Sequence, residues 1–286
     1  MYQAKDSGRN DCRFFDEAMN ANIQENLRLH SQLRNGLLHE EFLFHFQPVI
    51  DLQSGTMTGA EALIRWAHPS QGIISPGLFI PPAEKSGIIV EIGAWVVEEA
   101  CRQMSAWQAQ GLPDFFLAIN LSPLQFRRGD IVALVAKALN KYSLNPKLLE
   151  LEITESALIH DTEQFEIMLR GLKSLGVKIA IDDFGTGYSN LAYLQRFRVD
   201  KLKIDQSFVI RLSEGPQEQA IVRAIIQMAG SLELSTTGEG IEDQATLELL
   251  REFGCKYGQG YHIARPMPAE SFVKFVIKNQ AETAST

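Results

Sequence analysis

The chain has 286 residues, of which 45% are hydrophobic and 22% are charged, and its formal net charge is −8. This composition is ordinary for a globular protein, and the length suits one large core, since single α/β barrels reach about 250 residues. The negative charge argues against DNA binding, the lack of an apolar run of about 18 residues argues against a transmembrane helix, and residues 1–20 show no signal-peptide pattern.

Residues 1–34 differ in pattern from the rest of the chain. The first ten residues are typical of a helix end that stops at Gly8, Cys12–Phe15 fits a short strand, and apolar spacing predicts a helix from about Asp16 to Leu38. The region is too short to fold by itself, so we interpret it as the remnant of an upstream domain followed by a connecting helix. One domain is expected over 35–280, with a disordered tail at 281–286.

From about Glu41 onward, short apolar runs alternate with longer amphipathic stretches. The runs predict strands at Phe42–Ile50, Met57–Trp66, Phe115–Leu121, Leu148–Thr154, Val177–Ile181, Val199–Ile204, Leu234–Gly238 and Lys256–Ile263. Predicted helices lie between most of them, at Ile89–Gln110, Ile131–Tyr142, Asp161–Leu175, Glu218–Leu232, Gln244–Phe253 and Ala269–Asn279. This alternation predicts an α/β fold, a TIM-like (β/α)8 barrel. No helix fits between the first two strands, so the first strand is expected to be antiparallel to its neighbours.

Active-site groups of such a barrel lie at the carboxyl ends of its strands. Nearly every predicted strand brings a charged or amide side chain to that rim. In strand order these are Gln47, Glu61 with Arg65, Asn120, Glu152 with Glu155, Asp182 with Asp183, Lys203 with Asp205, Glu239 with Glu242, and Gln259.

The central stretch of this pattern is Asp182–Ser189, in which two adjacent carboxylates precede a glycine-rich loop. Taken singly, each rim residue has an ordinary explanation: Asp205 and Glu242 suit helix N-termini, Asn120 suits a turn cap, and Lys203 can reach solvent. Carboxylates converge on one rim only where cations share the site. The ligand set contains oxygen donors alone, which favours Mg²⁺ or Mn²⁺ over Zn²⁺.

Two adjacent aspartates are able to bridge two metals about 4 Å apart, the arrangement used for in-line attack on phosphate esters. Lys203 would hold or deprotonate the attacking water. Arg65 would bind a phosphate oxygen or a base edge. The residues therefore predict metal-dependent hydrolysis of a phosphodiester.

The motifs also resemble those of a known family, the EAL domain family of cyclic di-GMP phosphodiesterases. The resemblance covers about residues 35–280. It is carried, in order, by Gln47-Pro48, Glu61-Ala62-Leu63-Ile64-Arg65, Asn120-Leu121-Ser122, Glu152-Ile153-Thr154-Glu155, Asp182 to Ser189, Lys203-Ile204-Asp205, Gly238-Glu239-Gly240-Ile241-Glu242 and Gln259-Gly260-Tyr261. So many ordered motifs are specific, whereas a single tripeptide would not be. Gly238 departs from the alanine that is usual in the family, and we expect it to add local freedom with little effect.

The resemblance implies cleavage of cyclic di-GMP to the linear dinucleotide with two Mg²⁺ or Mn²⁺ ions and inhibition by Ca²⁺. It assigns one metal to Glu61, Asn120, Glu152 and Asp182, and the second to Asp182 and Asp183. It gives Lys203, Glu239 and Gln259 the nucleophilic water and the second metal's shell, and the dinucleotide to Gln47, Leu63, Arg65, Asp205 and Glu242. Catalytic roles are expected for Lys203, Glu239, Glu61 and Asp183.

The resemblance has consequences for partners and location as well. Residues 1–20 resemble the end of a GGDEF domain, which predicts such a module, or a sensory domain, upstream in a longer bacterial protein. Homodimerisation is expected through the loop at 184–191 and the helix after it, because Phe184, Tyr188, Leu191, Tyr193 and Leu194 are apolar. The three cysteines are far apart and show no metal spacing, which favours a cytoplasmic setting, with the cytoplasmic part of a longer membrane-anchored protein as the alternative.

Two other functions remain open at this point. A cyclic di-GMP receptor without catalysis needs Arg65 and its neighbours but is free to lose metal ligands, and none is missing here. A barrel enzyme that stabilises an enolate with Mg²⁺ also uses carboxylates and lysine, but its usual capping domain has no counterpart in the first 35 residues.

Glu155 carries a separate prediction. It lies three residues after Glu152, and an odd spacing in an extended chain turns it away from the metal-binding face. We expect its carboxylate to accept hydrogen bonds from the backbone at Gly185 to Gly187 and so to anchor the glycine-rich loop, without being a metal ligand. The alternative is an acid at a helix start that faces solvent.

Overall fold

The structure, a computed structural model, describes residues 17–159, 163–187, 194 and 196–283. The predicted strand at Cys12–Phe15 and residues 284–286 lie outside this part of the chain. In chain order the elements are α1 (Glu17–Leu38), β1 (Phe42–Asp51), β2 (Met57–His68), β3 (Gly72–Ile74), α2 (Pro76–Ser86), α3 (Ile89–Ala109), β4 (Phe116–Leu121), α4 (Pro123–Arg128), α5 (Ile131–Tyr142), β5 (Leu149–Thr154), α6 (Glu155–Ile159), α7 (Glu163–Leu175), β6 (Lys178–Phe184), β7 (Lys201–Ile204), α8 (Gln206–Val209), α9 (Pro216–Ser231), β8 (Ser235–Gly238), α10 (Gln244–Glu252), β9 (Tyr257–Gly258), β10 (Met267–Pro268) and α11 (Ala269–Thr283).

Eight of these strands close into a barrel in the order β1, β2, β4, β5, β6, β7, β8, β9 and back to β1. The pairs from β2 to β9 are parallel, whereas β1 is antiparallel to both β2 and β9. The link between β1 and β2 is too short for the crossover that a parallel pair needs, so the chain turns back as a hairpin. The predicted TIM-like barrel with an antiparallel first strand is confirmed.

Several elements differ from the sequence prediction. Strand β9 covers only Tyr257–Gly258 of the predicted run, while β6 continues to Phe184 and so contains Asp182 and Asp183, which were expected after the strand. Helix α2 was missed because it contains Pro81 and Pro82, which usually break helices. Helix α11 extends to Thr283, so residues 281–283 are helical and do not belong to a disordered tail.

The helices pack their apolar faces on the outside of the barrel. On β1, for example, the ring of Phe46 lies 4.8 Å from that of Trp107 in α3 and 5.6 Å from that of Phe272 in α11. Gly238 in β8 has a packing role of the same kind, because a Cβ there would lie 2.6 Å from Cδ1 of Leu250 in α10. The absence of a side chain at Gly238 makes room for Leu250, a packing role that the sequence did not indicate.

Among the described residues, no helix combines the length and apolarity needed to cross a membrane.

Candidate active site

The predicted rim residues meet at the carboxyl ends of the barrel strands, where a cavity of about 280 Å³ opens. Its walls include Gln47, Glu61, Leu63, Asp182, Asp183, Asp205, Glu239, Glu242 and Gln259. Beneath it lie Glu152 and Lys203, each with 2% of its surface exposed. The barrel register explains the convergence, since neighbouring parallel strands bring Asn120 beside Glu152 and Thr154 beside Asp182.

Lys203 lies at the centre of the group. Its Nζ is 2.8 Å from Glu152 Oε2, 2.9 Å from Glu239 Oε1, 3.1 Å from Asp182 Oδ1 and 3.5 Å from Glu61 Oε2. Burial by itself lowers the pKa of a lysine, but the four carboxylates outweigh it and raise the pKa of Lys203 well above its usual value. Its ammonium is therefore a hydrogen-bond donor in this structure and not a base.

Burial and mutual repulsion raise the pKa values of three neighbouring carboxyl groups. Burial, together with repulsion from Glu61, raises the pKa of Glu152, and burial with repulsion from Asp182 raises that of Glu239 to about 8. Burial and the charges of Asp182 and Asp205 raise the pKa of Asp183 to about 6. A divalent cation would relieve this repulsion by displacing the protons.

Glu61 behaves in the opposite way. Burial disfavours its ionised form, yet Lys203 and hydrogen bonds from Gln259 and Asn120 together lower its pKa. Asn120 Nδ2 donates to Glu61 Oε1 at 2.6 Å, and Gln259 Nε2 donates to Glu61 Oε2 at 2.8 Å and to Gln47 Oε1 at 3.0 Å. The four side chains form one connected network that keeps the Glu61 carboxylate charged.

The site fits hard divalent cations. Carboxylate oxygens of Asp182, Asp183 and Glu239 lie within 4.8 Å of one another, a spacing from which they are able to share an ion. Oε1 of Gln259 is buried and accepts no hydrogen bond within the described residues. Four acids around one lysine leave an excess of negative charge, and every candidate ligand atom is oxygen, as Mg²⁺ and Mn²⁺ prefer.

A β-bulge brings both aspartates to the same place. Side chains of adjacent residues in a regular strand point to opposite faces, but the pairing of β6 with β7 shifts register between Ile181 and Phe184. Asp183 has a φ of 55°, in the left-handed region that aspartate tolerates better than most residues. The extra residue of the bulge turns Asp183 towards the rim beside Asp182.

Four of the five expected substrate-binding residues line the cavity, and the fifth, Arg65, does not. Gln47, Leu63, Asp205 and Glu242 line the cavity. The half-buried Arg65 does not line it, and its Nη1 donates to the carbonyl oxygen of Ile64 at 2.9 Å. Asp205 also caps α8 by accepting from the backbone N–H of Ser207 at 3.0 Å, so its ordinary structural role and its place at the cavity coexist.

A second buried acid–lysine pair was missed in the sequence. Lys201 Nζ lies 2.8 Å from Glu150 Oε1, and the rings of Phe116 and Tyr257 are 3.9 and 4.6 Å away. Glu150 and Lys201 lie two residues before Glu152 and Lys203 on the same strands, so they share the barrel interior one layer further from the rim. The repeated Glu-x-Glu and Lys-x-Lys spacing was the available signal.

Glu155 is buried at the start of α6 and contacts the glycine-rich loop. Its Oε2 accepts from the backbone N–H groups of Gly185 at 2.9 Å and Gly187 at 3.3 Å. Gly185 has a φ of 101°, and a Cβ there would lie 2.9 Å from the ring of Phe208, so the loop requires glycine at this position. Glu155 thus has the geometry of a loop anchor, and it faces the loop backbone, not solvent.

We predict that Glu155→Ala lowers both turnover and metal affinity, although it removes no candidate metal ligand. Hydrogen bonds to a charged acceptor are worth about 1.5–3 kcal/mol each, and losing them frees the loop that follows Asp183. The measurement is turnover at limiting Mg²⁺ together with hydrogen exchange at Gly185 and Gly187. Glu163→Ala on α7, an exposed acid, is the control; unchanged turnover of Glu155→Ala at limiting Mg²⁺ would contradict the anchor role.

Sequence comparisons show which known proteins this chain resembles. A sequence model described as the EAL domain matches residues 30–266. MucR of Pseudomonas aeruginosa, named a bifunctional diguanylate cyclase/cyclic di-GMP phosphodiesterase, is 46% identical over 276 residues, which cover 96% of this chain and 40% of MucR. The cyclic di-GMP phosphodiesterase NbdA of the same organism is 37% identical over 276 residues, which cover 96% of this chain and 35% of NbdA. The chain thus spans less than half the length of these relatives.

Solved structures of EAL-domain proteins also resemble this chain. The structure of the PaMucR phosphodiesterase in complex with c-di-GMP matches with a TM-score of 0.81 and 45% identity, covering 86% of this chain and 99% of that one. The EAL enzyme Bd1971 in its cAMP- and cyclic-di-GMP-bound form matches with a TM-score of 0.84 and 33% identity, covering 89% of this chain and 70% of that one.

Proposed function

This chain belongs to the EAL domain family, and we propose that it hydrolyses cyclic di-GMP to the linear dinucleotide with two divalent cations. The observation that carries the proposal is the cluster of four acids around the buried Lys203, with Asp183 beside it: Glu61 and Glu152 are buried, and Asp182 and Glu239 are partly exposed to the cavity. None of the expected metal ligands is replaced, which favours an enzyme over a non-catalytic cyclic di-GMP receptor. The similarity to structures with bound cyclic di-GMP supports the choice of substrate.

Different residues of the chain would bind the metals, orient the water and position the substrate. Glu61, Asn120, Glu152 and Asp182 would hold one ion, and Asp182, Asp183, Glu239 and Gln259 the other. Bound Mg²⁺ or Mn²⁺ would supply an activated water and stabilise the charge that develops on the phosphate. Lys203, as a protonated donor, would orient that water and neutralise charge, while Gln47, Leu63, Asp205 and Glu242 would position the dinucleotide.

Arg65 has a different place in this proposal. In the structure its guanidinium points to the carbonyl of Ile64, outside the lining of the cavity. Arginine binds phosphate oxygens through paired N–H donors, so Arg65 would have to exchange that backbone contact for one to the substrate.

The test is to incubate the purified chain with cyclic di-GMP and to follow the linear product by chromatography. We expect hydrolysis with Mg²⁺ or Mn²⁺ and none with Ca²⁺, which is larger, takes more ligands and activates water poorly. Binding of cyclic di-GMP without hydrolysis in Mg²⁺ and Mn²⁺ would indicate the receptor instead. Robust turnover with Ca²⁺ alone would contradict the proposed site.

We also propose a homodimer through the region of residues 184–191, on the strength of the family resemblance. Phe184 and Leu194, expected to be available for the contact, are each only 3% exposed and pack in the protomer's own core. Tyr188, Leu191 and Tyr193 lie outside the described residues. The prediction therefore rests on less apolar surface than the sequence indicated.

The prediction for assembly is a dimer whose dissociation lowers turnover, because the contact adjoins the loop anchored by Glu155. Light scattering and turnover measured over the same dilution series check it. A monomer with full activity at high micromolar concentration would refute the link.

The proposal also covers the cellular compartment of this domain and the module that precedes it. Cys101 and Cys255 are buried free thiols, as suits a reducing cytoplasm. The resemblance of residues 1–20 to the end of a GGDEF domain supports an upstream module of that kind, and the name of MucR combines both activities.

A further inference from the structure

Asn120 depends on its neighbours for its position. It is an exposed residue near the end of β4, and its described contact is the bond from Nδ2 to Glu61 Oε1. A side chain with so little packing of its own is placed by its backbone. Asn120 and Leu121 end β4, where they pair with Glu152 and Ile153 of β5, and the chain turns at Ser122 into α4. The end of β4 and the turn at Ser122 therefore decide where the amide lies relative to the carboxylates.

That turn is held from within by a capping box. Ser122 Oγ accepts from the backbone N–H of Leu124 at 3.2 Å, and Gln125 Oε1 accepts from the backbone N–H of Ser122 at 2.9 Å. Gln125 is buried against α3 at Gly93, where a Cβ would lie 2.0 Å from its Nε2. This box fixes the start of α4, but α4 itself has only six residues.

The turn is also held from outside by a charged side chain of another helix. Ser122 Oγ donates to Glu84 Oε1 on α2 at 2.7 Å. Glu84 faces a cavity of about 520 Å³ that adjoins Asn120 and is lined mainly by apolar groups. A hydroxyl makes a shorter and stronger hydrogen bond to a carboxylate than to a neutral acceptor.

Helix α2, which carries Glu84, packs tightly against the barrel. Ala83, next to Glu84, is fully buried, and Phe79 is buried with its ring 5.8 Å from that of Phe42 and 6.0 Å from that of Trp66. The packing of α2 on β1 and β2 therefore fixes the backbone at Glu84, from which the carboxylate reaches Ser122.

We propose that Glu84 is a positioning residue for the metal site: through Ser122 it fixes the turn that presents Asn120 beside Glu61. The inference rests on the proposed metal-dependent function and adds a residue to it. Glu84 touches neither a cation nor the substrate in this role. Partners that orient metal ligands from outside typically account for about 10- to 100-fold in metal affinity.

The experiment compares Mn²⁺ binding, measured by electron paramagnetic resonance of the free ion, in the full chain and its variants. Glu84→Met keeps the apolar packing but removes the acceptor, and we expect about tenfold weaker Mn²⁺ binding. Glu84→Gln keeps an oxygen acceptor and should stay within about threefold of the unchanged protein. Lys85→Met, at the next and exposed position of α2, is the matched control and should bind Mn²⁺ normally.

The same change made in the Asn120→Ala variant distinguishes a positioning role of Glu84 from a general effect on protein stability. In Asn120→Ala, the Glu84→Met change should have no further effect on Mn²⁺ affinity, because Glu84 acts through Asn120. A loss of equal size in that background would overturn the proposal, as would normal Mn²⁺ binding by Glu84→Met. If the unchanged protein binds no Mn²⁺, the proposed function fails as well; if it binds Mn²⁺ and Glu84→Met binds it equally, only the role of Glu84 fails.

Discussion

Glu152→Ala is expected to lower the turnover of cyclic di-GMP by about two to four orders of magnitude, because a metal supplies several kcal/mol of transition-state stabilisation. Glu152 lies at the base of the site, with its Oε2 directed at Lys203 and with Asn120 paired beside it on the next strand. The neighbouring ligands Glu61 and Asn120 should give losses of the same order. The measurements are kcat at saturating Mg²⁺ and Mn²⁺ affinity in the absence of substrate.

Glu152→Gln separates this loss from a loss of stability. The raised pKa of Glu152 means that its ionised form is disfavoured in the metal-free fold, so a neutral amide of the same size relieves repulsion from Glu61. The metal-free variant should therefore melt at or above the temperature of the unchanged protein while turnover is lost. A variant that turns over normally with saturating Mg²⁺ would remove Glu152 from the ligand set.

Glu150→Gln is the matched control. Glu150 lies two residues earlier on β5 and is also buried against a lysine, but in the layer away from the rim. It is expected to affect stability and to leave turnover per folded molecule unchanged. Equal loss of turnover at both positions would mean that the assay reports damage to the barrel.

Lys203→Met is expected to lower turnover by about two to four orders of magnitude while cyclic di-GMP still binds. The change removes the donor that would orient the attacking water, but leaves Gln47, Leu63, Asp205 and Glu242 in the cavity wall. Turnover and dinucleotide affinity, the latter by calorimetry with Ca²⁺, separate the two effects. Near-normal turnover would exclude Lys203 from the reaction.

The same variant has a second expected signature in its stability. Lys203 is the cation that the structure places among the four acids, and breaking a buried pair costs about 3–5 kcal/mol. Added Mg²⁺ should therefore raise the melting temperature of Lys203→Met more than that of the unchanged protein. Lys201→Met, which breaks the Glu150 pair away from the metal site, should lose stability without this additional response to Mg²⁺.

The order of the elements and the identity of the site followed from local sequence. Apolar runs separated by amphipathic stretches predicted the barrel, because parallel strands buried on both faces need apolar residues and crossovers need helices. The short link after β1 required the antiparallel pair. Polar residues at the ends of the runs then predicted the rim, since strand ends meet at one side of a barrel.

Local sequence also predicted that Glu155 lies opposite the loop. Glu155 begins α6 and does not continue the extended strand, so its odd spacing from Glu152 does not explain its direction. The glycine N–H groups of the loop needed an acceptor, and this was the informative signal. The two bonds of Glu155 to Gly185 and Gly187 in the structure match that prediction, while its effect on turnover stays a prediction. The apolar residues assigned to a dimer contact were less predictable, because an apolar side chain at a loop can serve the protomer's own core, as Phe184 and Leu194 do.

The contacts that join distant segments come from the closed barrel and not from any local pattern. The bulge that turns Asp183 beside Asp182 arises from the pairing of β6 with β7. The high pKa of Lys203 arises from acids on four other strands or their ends, and the bond from Ser122 to Glu84 crosses 38 positions of sequence. Sequence patterns report the period and polarity of one segment, whereas the charge state and orientation of these side chains depend on neighbours that the closed barrel alone brings within hydrogen-bonding distance.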